Sequence, residues 1–158
     1  MTRVQNIFNH PDYQDSIKKT TEAEAERVFC RHGLEHCLST ARIAYIFSLE
    51  RGYGIPKDII YAAALLHDIG RWKQYRDGTP HHTAGAEIAA PILADAGFSD
   101  SECRQILDAI AGHRDSNAQE PLSQAIYDAD KASRCCFMCD AQQVCNWSSQ
   151  KKNLQIIW

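Results

Sequence analysis

The stretch KDIIYAAALLHDIG, Lys57 to Gly70, limits what this chain can fold into more than any other. From Ile59 to Leu66 it is apolar nearly all round, the pattern of a helix buried in the middle of a bundle rather than laid on its surface. It then closes on His67 and Asp68, two polar groups that burial makes expensive. An unpaired buried carboxylate shifts its pKa or destabilises the fold by on the order of several kcal/mol. Asp68 therefore calls for a metal ion or a basic partner, unless this helix end projects into solvent, and the remaining histidines and aspartates decide between the two.

No sustained apolar/polar alternation marks a strand, while several windows of about 12 to 20 residues carry apolar residues at helical spacing. The expected fold is all-α, a helical bundle. Punctuation places one helix after Pro11, one from about Gly33 to Arg51 and one from Pro56 to Ile69. The segment GRWKQYRDGTPHH reads as a loop, followed by helices near Thr83 to Ala96 and Ser101 to Arg114 and a last long helix from Pro121. Pro56 and Pro121 fall at first-turn positions, and Gly52, Gly70 and Gly97 fall where helices stop. With 158 residues the chain has room for one good core, so a single domain over 1–158 is expected, with its centre over about 31–134 and a cysteine-rich extension over 135–158.

Seventeen Lys and Arg against 20 Asp and Glu leave no basic excess of the kind that binds nucleic-acid polymers without sequence preference. The N-terminus MTRVQNIFNHPDYQDS lacks a secretory apolar segment, and no window approaches the roughly 18 apolar residues of a membrane span. A cytoplasmic protein is expected, with no membrane partner. Seven cysteines is an odd number, and the scatter of Cys30, Cys37 and Cys103 suits reduced thiols better than a secreted disulfide framework.

Helical periodicity turns several chemically active side chains inward. His36 shares a stripe with Thr40, Ile43 and Phe47, and His113 extends the stripe of Ile106 and Ile110. Asp130 follows Leu122 and Ile126, whereas Asp128, roughly 200° away around the helix, shares its side with Gln124 and Lys131. Periodicity does not choose between His81 and His82. Any one such histidine is ordinary in a core, but imidazoles and carboxylates converging from several helices are the ligand set of Fe, Mn, Co, Ni and Zn.

In the order His36, His67-Asp68, His81, His113, Asp130, the chain resembles the HD-domain superfamily of metal-dependent phosphohydrolases, and LLHDIGR is similar to that family's HDIG signature. The flanks HCLSTARIA and DADK are also similar to its first-histidine and last-aspartate motifs, so the resemblance runs over about Arg31 to Arg134. It implies an HD-type bundle in which His36, His67, Asp68 and Asp130 hold one divalent transition-metal ion. By the same resemblance His81, four residues before Gly85, and His113, in AIAGH, supply a second ion bridged by Asp68.

Two ions about 3.5 to 4 Å apart lower the pKa of a bridging water and neutralise phosphoryl charge. The expected reaction is hydrolysis of a phosphate ester or anhydride in a nucleotide or other small phosphorylated molecule, with His67 and Asp68 at its catalytic centre. Arg71, Lys131 and Arg134 are candidates for holding substrate phosphate, since guanidinium and ammonium groups suit that anion; solvent-facing charges at helix ends are the bland alternative. Some relatives with this histidine arrangement cleave dinucleoside polyphosphates. A branch of the superfamily uses the same ligand order to hold two irons and activate oxygen, and a third reading is a sensor or ligand-binding module without catalysis.

RCCFMCDAQQVCNW sets Cys135, Cys136, Cys139 and Cys145 within a short span. Four thiolates can hold a structural zinc or an iron–sulfur cluster, although adjacent Cys135 and Cys136 make poor simultaneous ligands; a reversible disulfide and plain buried thiols are the alternatives. At the C-terminus Ile156, Ile157 and Trp158 either pack back on the bundle or offer an apolar patch for a homodimer.

Overall fold

A computed structural model describes residues 1–156 of the chain. Eight α-helices and no strand occur among them, in agreement with the periodicity. These are α1 (Thr2–Asn9), α2 (Pro11–Ala23), α3 (Leu34–Glu50), α4 (Lys57–Leu66), α5 (Arg71–Asp77), α6 (His81–Asp95), α7 (Asp100–Gly112) and α8 (Pro121–Ala132), followed by a single 3-10 turn at Cys136–Met138.

The greasy stretch is the axis of the bundle. In α4 every residue from Ile59 to Leu66 except Tyr61 is buried, and the helix touches α1, α3, α6, α7 and α8. Its three successive alanines, Ala62 to Ala64, keep those neighbours close, while Ile59, Ile60, Leu65 and Leu66 fill the gaps. Each fully buried Ile or Leu contributes about 1.5–3 kcal/mol over leaving it in water. α3 packs on both α4 and α8, while α6 and α7 pack on each other and both touch α4. Arg3 ties α1 across the bundle, donating to Asp58 of α4 and Glu102 of α7 at 2.7 Å each.

Regular α-structure in α4 stops at Leu66, three residues before the expected Ile69, because the last turn tightens: the Ile69 amide bonds to the Leu66 carbonyl at 3.2 Å, an i to i−3 bond. The segment read as a loop is helical. α5 starts straight after Gly70 and is closed by Gly78 in the left-handed region at φ 81°, whose amide bonds to the Gln74 carbonyl at 3.1 Å. It buries no residue, so it carries no apolar period to read. α1 likewise offers little apolar period, since only Val4 and Ile7 are buried in it. α8 is shorter than expected and ends at Ala132.

Gly70 fixes how the two halves meet. A Cβ there would lie 2.3 Å from the His81 carbonyl oxygen and 2.5 Å from the Gly85 nitrogen, so only glycine lets the end of α4 rest on the start of α6. Among the described residues beyond α8 the chain is irregular apart from the 3-10 turn. Ile156 is exposed, and Ile157 and Trp158 lie outside the described residues. No helix among the described residues is long and apolar enough to cross a membrane.

Candidate metal centre

The helices deliver the six anticipated ligands to one place. His36 comes from the first turn of α3, His67 and Asp68 from the end of α4, His81 from the start of α6, His113 from the end of α7 and Asp130 from the last turn of α8. One ligand atom from each of His36, His67, Asp68 and Asp130 lies within 4.8 Å of the others, and Asp68, His81 and His113 form a second such group. All six are buried.

Asp68 joins the groups by splitting its oxygens between them. Oδ2 lies 3.1 Å from His67 Nε2 and 3.7 Å from His36 Nε2. Oδ1 lies 3.4 Å from His81 Nε2 and 3.8 Å from His113 Nε2. Asp130 closes the first group, with Oδ1 3.2 Å from His36 Nε2.

The other nitrogen of each ring fixes its tautomer. His67 Nδ1 donates to the Ala64 carbonyl at 2.7 Å and His113 Nδ1 to the Ile110 carbonyl at 2.6 Å; carbonyls only accept, so the ring hydrogen sits on Nδ1. His81 Nδ1 is paired with the Gln74 side-chain oxygen. Ser133 spends its hydroxyl hydrogen on the Asp130 carbonyl at 2.8 Å and so accepts from His36 Nδ1 at 3.1 Å. All four imidazoles thus turn an Nε2 lone pair toward the centre, that of His36 accepting from Arg134 Nη2 at 2.8 Å, and this is the arrangement that orients metal-ligating histidines.

These lone pairs confront one another, His36 Nε2 to His67 Nε2 at 3.3 Å and His81 Nε2 to His113 Nε2 at 3.0 Å. Asp68 Oδ2 is buried without a hydrogen bond. Facing acceptors and an orphaned carboxylate oxygen repel unless a cation lies among them, and a mixed imidazole and carboxylate set suits divalent transition metals. The residues present therefore fit the implied metal.

The electrostatics agree. Burial works to raise the pKa of Asp68, but His67 and Arg71 outweigh it and hold the carboxyl well below the usual range. For Asp130 burial is likewise overcome, here by the adjoining His36 ring and the charge of Lys131. Burial, with Arg71 adding to it, pushes His81 down to about 3, and burial pushes His113 down to about 4. Burial also acts to lower His67, but the Asp68 carboxylate prevails and raises it, the same attraction that a metal cation would feel.

The three anticipated phosphate holders stand at this centre. Arg71 Nε is 2.9 Å from Asp68 Oδ1, Lys131 Nζ is 2.7 Å from Asp130 Oδ2, and Arg134 Nη2 donates to His36 Nε2 at 2.8 Å and reaches Asp130 Oδ1 at 3.3 Å. They line a cavity of about 470 Å³ above the ligands, which Arg27, Arg114 and Lys151 also line. Asp128 faces away and pairs with Arg51 at 2.7 Å. His81 is the inward member of the histidine pair, and His82 stacks edge-on against it from outside.

Sequence reasoning missed Gln74 and Ser133, which orient His81 and His36. A helical reading of the segment after Gly70 would have placed Gln74 near the site, and Ser133, the C-cap of α8, lies three residues beyond Asp130. Of the cysteines, no three sulfurs among the described residues lie within 4.8 Å of one another; Cys135 is exposed and Cys136 is buried. Cys135 and Cys136 differ in exposure, although both line one cavity of about 510 Å³.

Comparison with known proteins bears on the same residues. The family model for the HD domain matches residues 33–135. An uncharacterized protein of Clostridium beijerinckii is 41% identical over 158 residues, the full length of both chains. YueE of Bacillus subtilis, named as a candidate phosphohydrolase, is 32% identical over 144 residues, covering 81% of this chain and 74% of its own. Ribonuclease Y 1 of Pediococcus pentosaceus is 26% identical over 136 residues, covering 84% of this chain but only 24% of that enzyme. No solved structure gives a significant match.

Proposed function

The chain belongs to the HD-domain family, whose model spans residues 33–135, and from that premise we propose that it is a two-metal phosphohydrolase acting on a nucleotide or a related small phosphorylated molecule. The observation that carries this reading is the pair of confronting Nε2 groups on either side of Asp68, at the floor of a cation-lined cavity. When bound, two divalent ions would supply a metal-activated water as nucleophile and neutralise charge on the phosphoryl group.

The chain's own residues account for the rest of the task. His67, His36, His81 and His113 are held as Nε2 ligands by Ala64, Ser133, Gln74 and Ile110. Asp68 and Asp130 stay ionised. Arg71, Lys131 and Arg134 are anchored on the ligand carboxylates, close enough to exchange part of that contact for phosphate oxygens. Phe29, Tyr127 and Trp147 line the same cavity and offer aromatic faces to a base.

The oxygen-activating branch of the family would use the same six ligands; the cationic wall is what favours hydrolysis. YueE, named as a candidate phosphohydrolase, and Ribonuclease Y 1, named as a nuclease, support phosphoester or phosphoanhydride cleavage as the reaction class. The test is phosphate release from nucleotides, dinucleoside polyphosphates and simple esters with Mn²⁺, Fe²⁺, Co²⁺, Ni²⁺, Mg²⁺ or Zn²⁺ supplied anaerobically, beside a His67→Ala/Asp68→Ala control. Turnover that disappears in the control supports the proposal. Metal-loaded protein that is silent on every substrate contradicts it.

A further inference from the structure

The segment after α8 raises its own question. From Ser133 to Ile156 its one helical element is the turn at Cys136–Met138. Its buried apolar side chains are Cys136 and Ala141, whereas Met138, Val144 and Ile156 are largely exposed. Irregular segments longer than about 12–15 residues are uncommon in compact domains unless something specific holds them. Hydrogen bonds do so in part: Asn153 Nδ2 donates to the Ala132 carbonyl at 2.8 Å, Phe137 N to the Asn153 carbonyl at 3.2 Å and Gln142 Nε2 to the Cys136 carbonyl at 2.8 Å. Each contributes only about 1 kcal/mol net, less than the entropy of ordering a residue or two.

The sulfurs provide the missing staple. In a 3-10 turn residues three apart eclipse, and the Cys139 amide bonds to the Cys136 carbonyl at 3.3 Å, so these two side chains emerge on one side. They share the wall of a cavity of about 510 Å³ with the exposed Cys135 and with Cys30, from the segment between α2 and α3. Cys30 in turn shares the neighbouring cavity, the one above the metal ligands, with Cys145. Cys30, Cys139 and Cys145 are thus the thiols close enough to Cys136 to influence its ionisation. All four are unpaired thiols.

We propose that Cys30, Cys136, Cys139 and Cys145, with Cys30 in place of Cys135, form a tetrathiolate metal centre that staples the C-terminal segment to the chain preceding α3. The ligand it takes is a thiophilic metal, either a zinc ion or an iron–sulfur cluster. A single tetrahedral zinc draws thiolates to about 3.8 Å from one another. No three of these sulfurs lie within 4.8 Å of one another, so zinc requires side-chain rotations, whereas a 4Fe–4S cluster, each of whose irons takes one cysteine, holds its thiolates farther apart. Loading releases the thiol protons, up to four per centre. Arg134 lines the cavity and Arg27 Nε bonds the Cys30 carbonyl at 2.9 Å, which places positive charge beside the resulting anion. The proposal stands apart from the hydrolase reading, since none of its residues is a ligand of the histidine–aspartate centre.

The experiment uses full-length protein purified anaerobically, with zinc, iron and acid-labile sulfide measured per chain. Asp68→Ala removes the contribution of the histidine–aspartate centre; Cys30→Ser, Cys139→Ser and Cys135→Ser are made in that background. One zinc, or iron with sulfide and a visible charge-transfer band, is expected in the Asp68→Ala protein and with Cys135→Ser added, and its loss with Cys30→Ser or Cys139→Ser. Because serine variants can fail to fold, the wild-type chain is also alkylated before and after metal removal and mapped by mass spectrometry. Cys30, Cys136, Cys139 and Cys145 are expected to be shielded until the metal is removed, and Cys135 to be labelled throughout. Equal metal content with and without Cys30, a disulfide joining Cys30 to any of the others, or Cys30 labelling that ignores metal removal overturns the proposal.

Discussion

His81 Nε2 lies 3.0 Å from His113 Nε2, and each ring has committed its Nδ1 hydrogen elsewhere, to Gln74 and to the Ile110 carbonyl. With pKa values pushed down to about 3 and about 4, chiefly by burial, both rings are neutral at physiological pH. They are paired lone pairs with no proton to share, separated from the other half of the centre by Asp68.

Replacing either ring should therefore remove one ion and leave the other. His81→Ala or His113→Ala is expected to bind one divalent ion per chain where the wild type binds two, with phosphate release lowered at least about 100-fold. Elemental analysis of anaerobically loaded protein checks the count. Loss of both ions, or of neither, would show that the two groups are not separable.

Gly70→Ala should act on fold and site together. The added Cβ meets backbone, not a flexible side-chain end, at the His81 carbonyl and the Gly85 nitrogen. Overpacking of this kind costs about 1–3 kcal/mol and more where backbone must move. A loss of about 3 kcal/mol in unfolding free energy is expected, together with weakened binding of the ion next to His81. Denaturant unfolding and metal titration measure the two separately.

How far the sequence discloses such a site depends on whether a residue acts through the core pattern. His36 was readable because Thr40 and Phe47 continue its stripe into the core, and Asp130 because Leu122 and Ile126 do the same; all are buried. His81 was not separable from His82 because α6 begins at His81, leaving no preceding turn to set a phase. Gln74 and Ser133 act through single hydrogen bonds to ligand rings, which leave no period in the chain. Cys30 comes to the cavity wall beside Cys136 only through the tertiary fold, which no local spacing discloses.

Lys131→Ala should separate substrate binding from metal binding. Its ammonium bonds Asp130 Oδ2, the oxygen turned away from His36. A charge-assisted contact of this type is worth about 1.5–3 kcal/mol, so KM for a phosphorylated substrate is expected to rise about 10-fold or more with metal content unchanged. Steady-state kinetics on metal-saturated enzyme test this, and an unchanged KM would place Lys131 outside the substrate site.

Acid sensitivity should have a source outside the ligands. Glu24 accepts from the His32 amide at 2.7 Å and from Tyr75 Oη at 2.6 Å, and pairs with the His32 ring. Burial opposes its ionisation, but these partners prevail and lower its pKa to about 2, while burial lowers that of His32. Both folded values lie below the unfolded ones, about 4.3 for Glu and 6.5 for His. The stabilisation is therefore complete above pH 6.5 and is lost as pH falls, first as the unfolded chain protonates His32 and then toward pH 2 as Glu24 protonates. Unfolding free energy followed from pH 7 to pH 3 should decline less steeply in Glu24→Gln than in the wild type; parallel curves would remove Glu24 from the account.

The most direct measurement is anaerobic titration of Mn²⁺ or Fe²⁺ into metal-free protein while phosphate release is followed. A two-ion hydrolytic centre bridged by Asp68 gives little turnover at one equivalent per chain, full turnover at two, and none at any loading in Asp68→Ala. Turnover complete at one equivalent would contradict the bridged pair, and protein holding two ions with no release from any phosphorylated substrate would contradict hydrolysis itself.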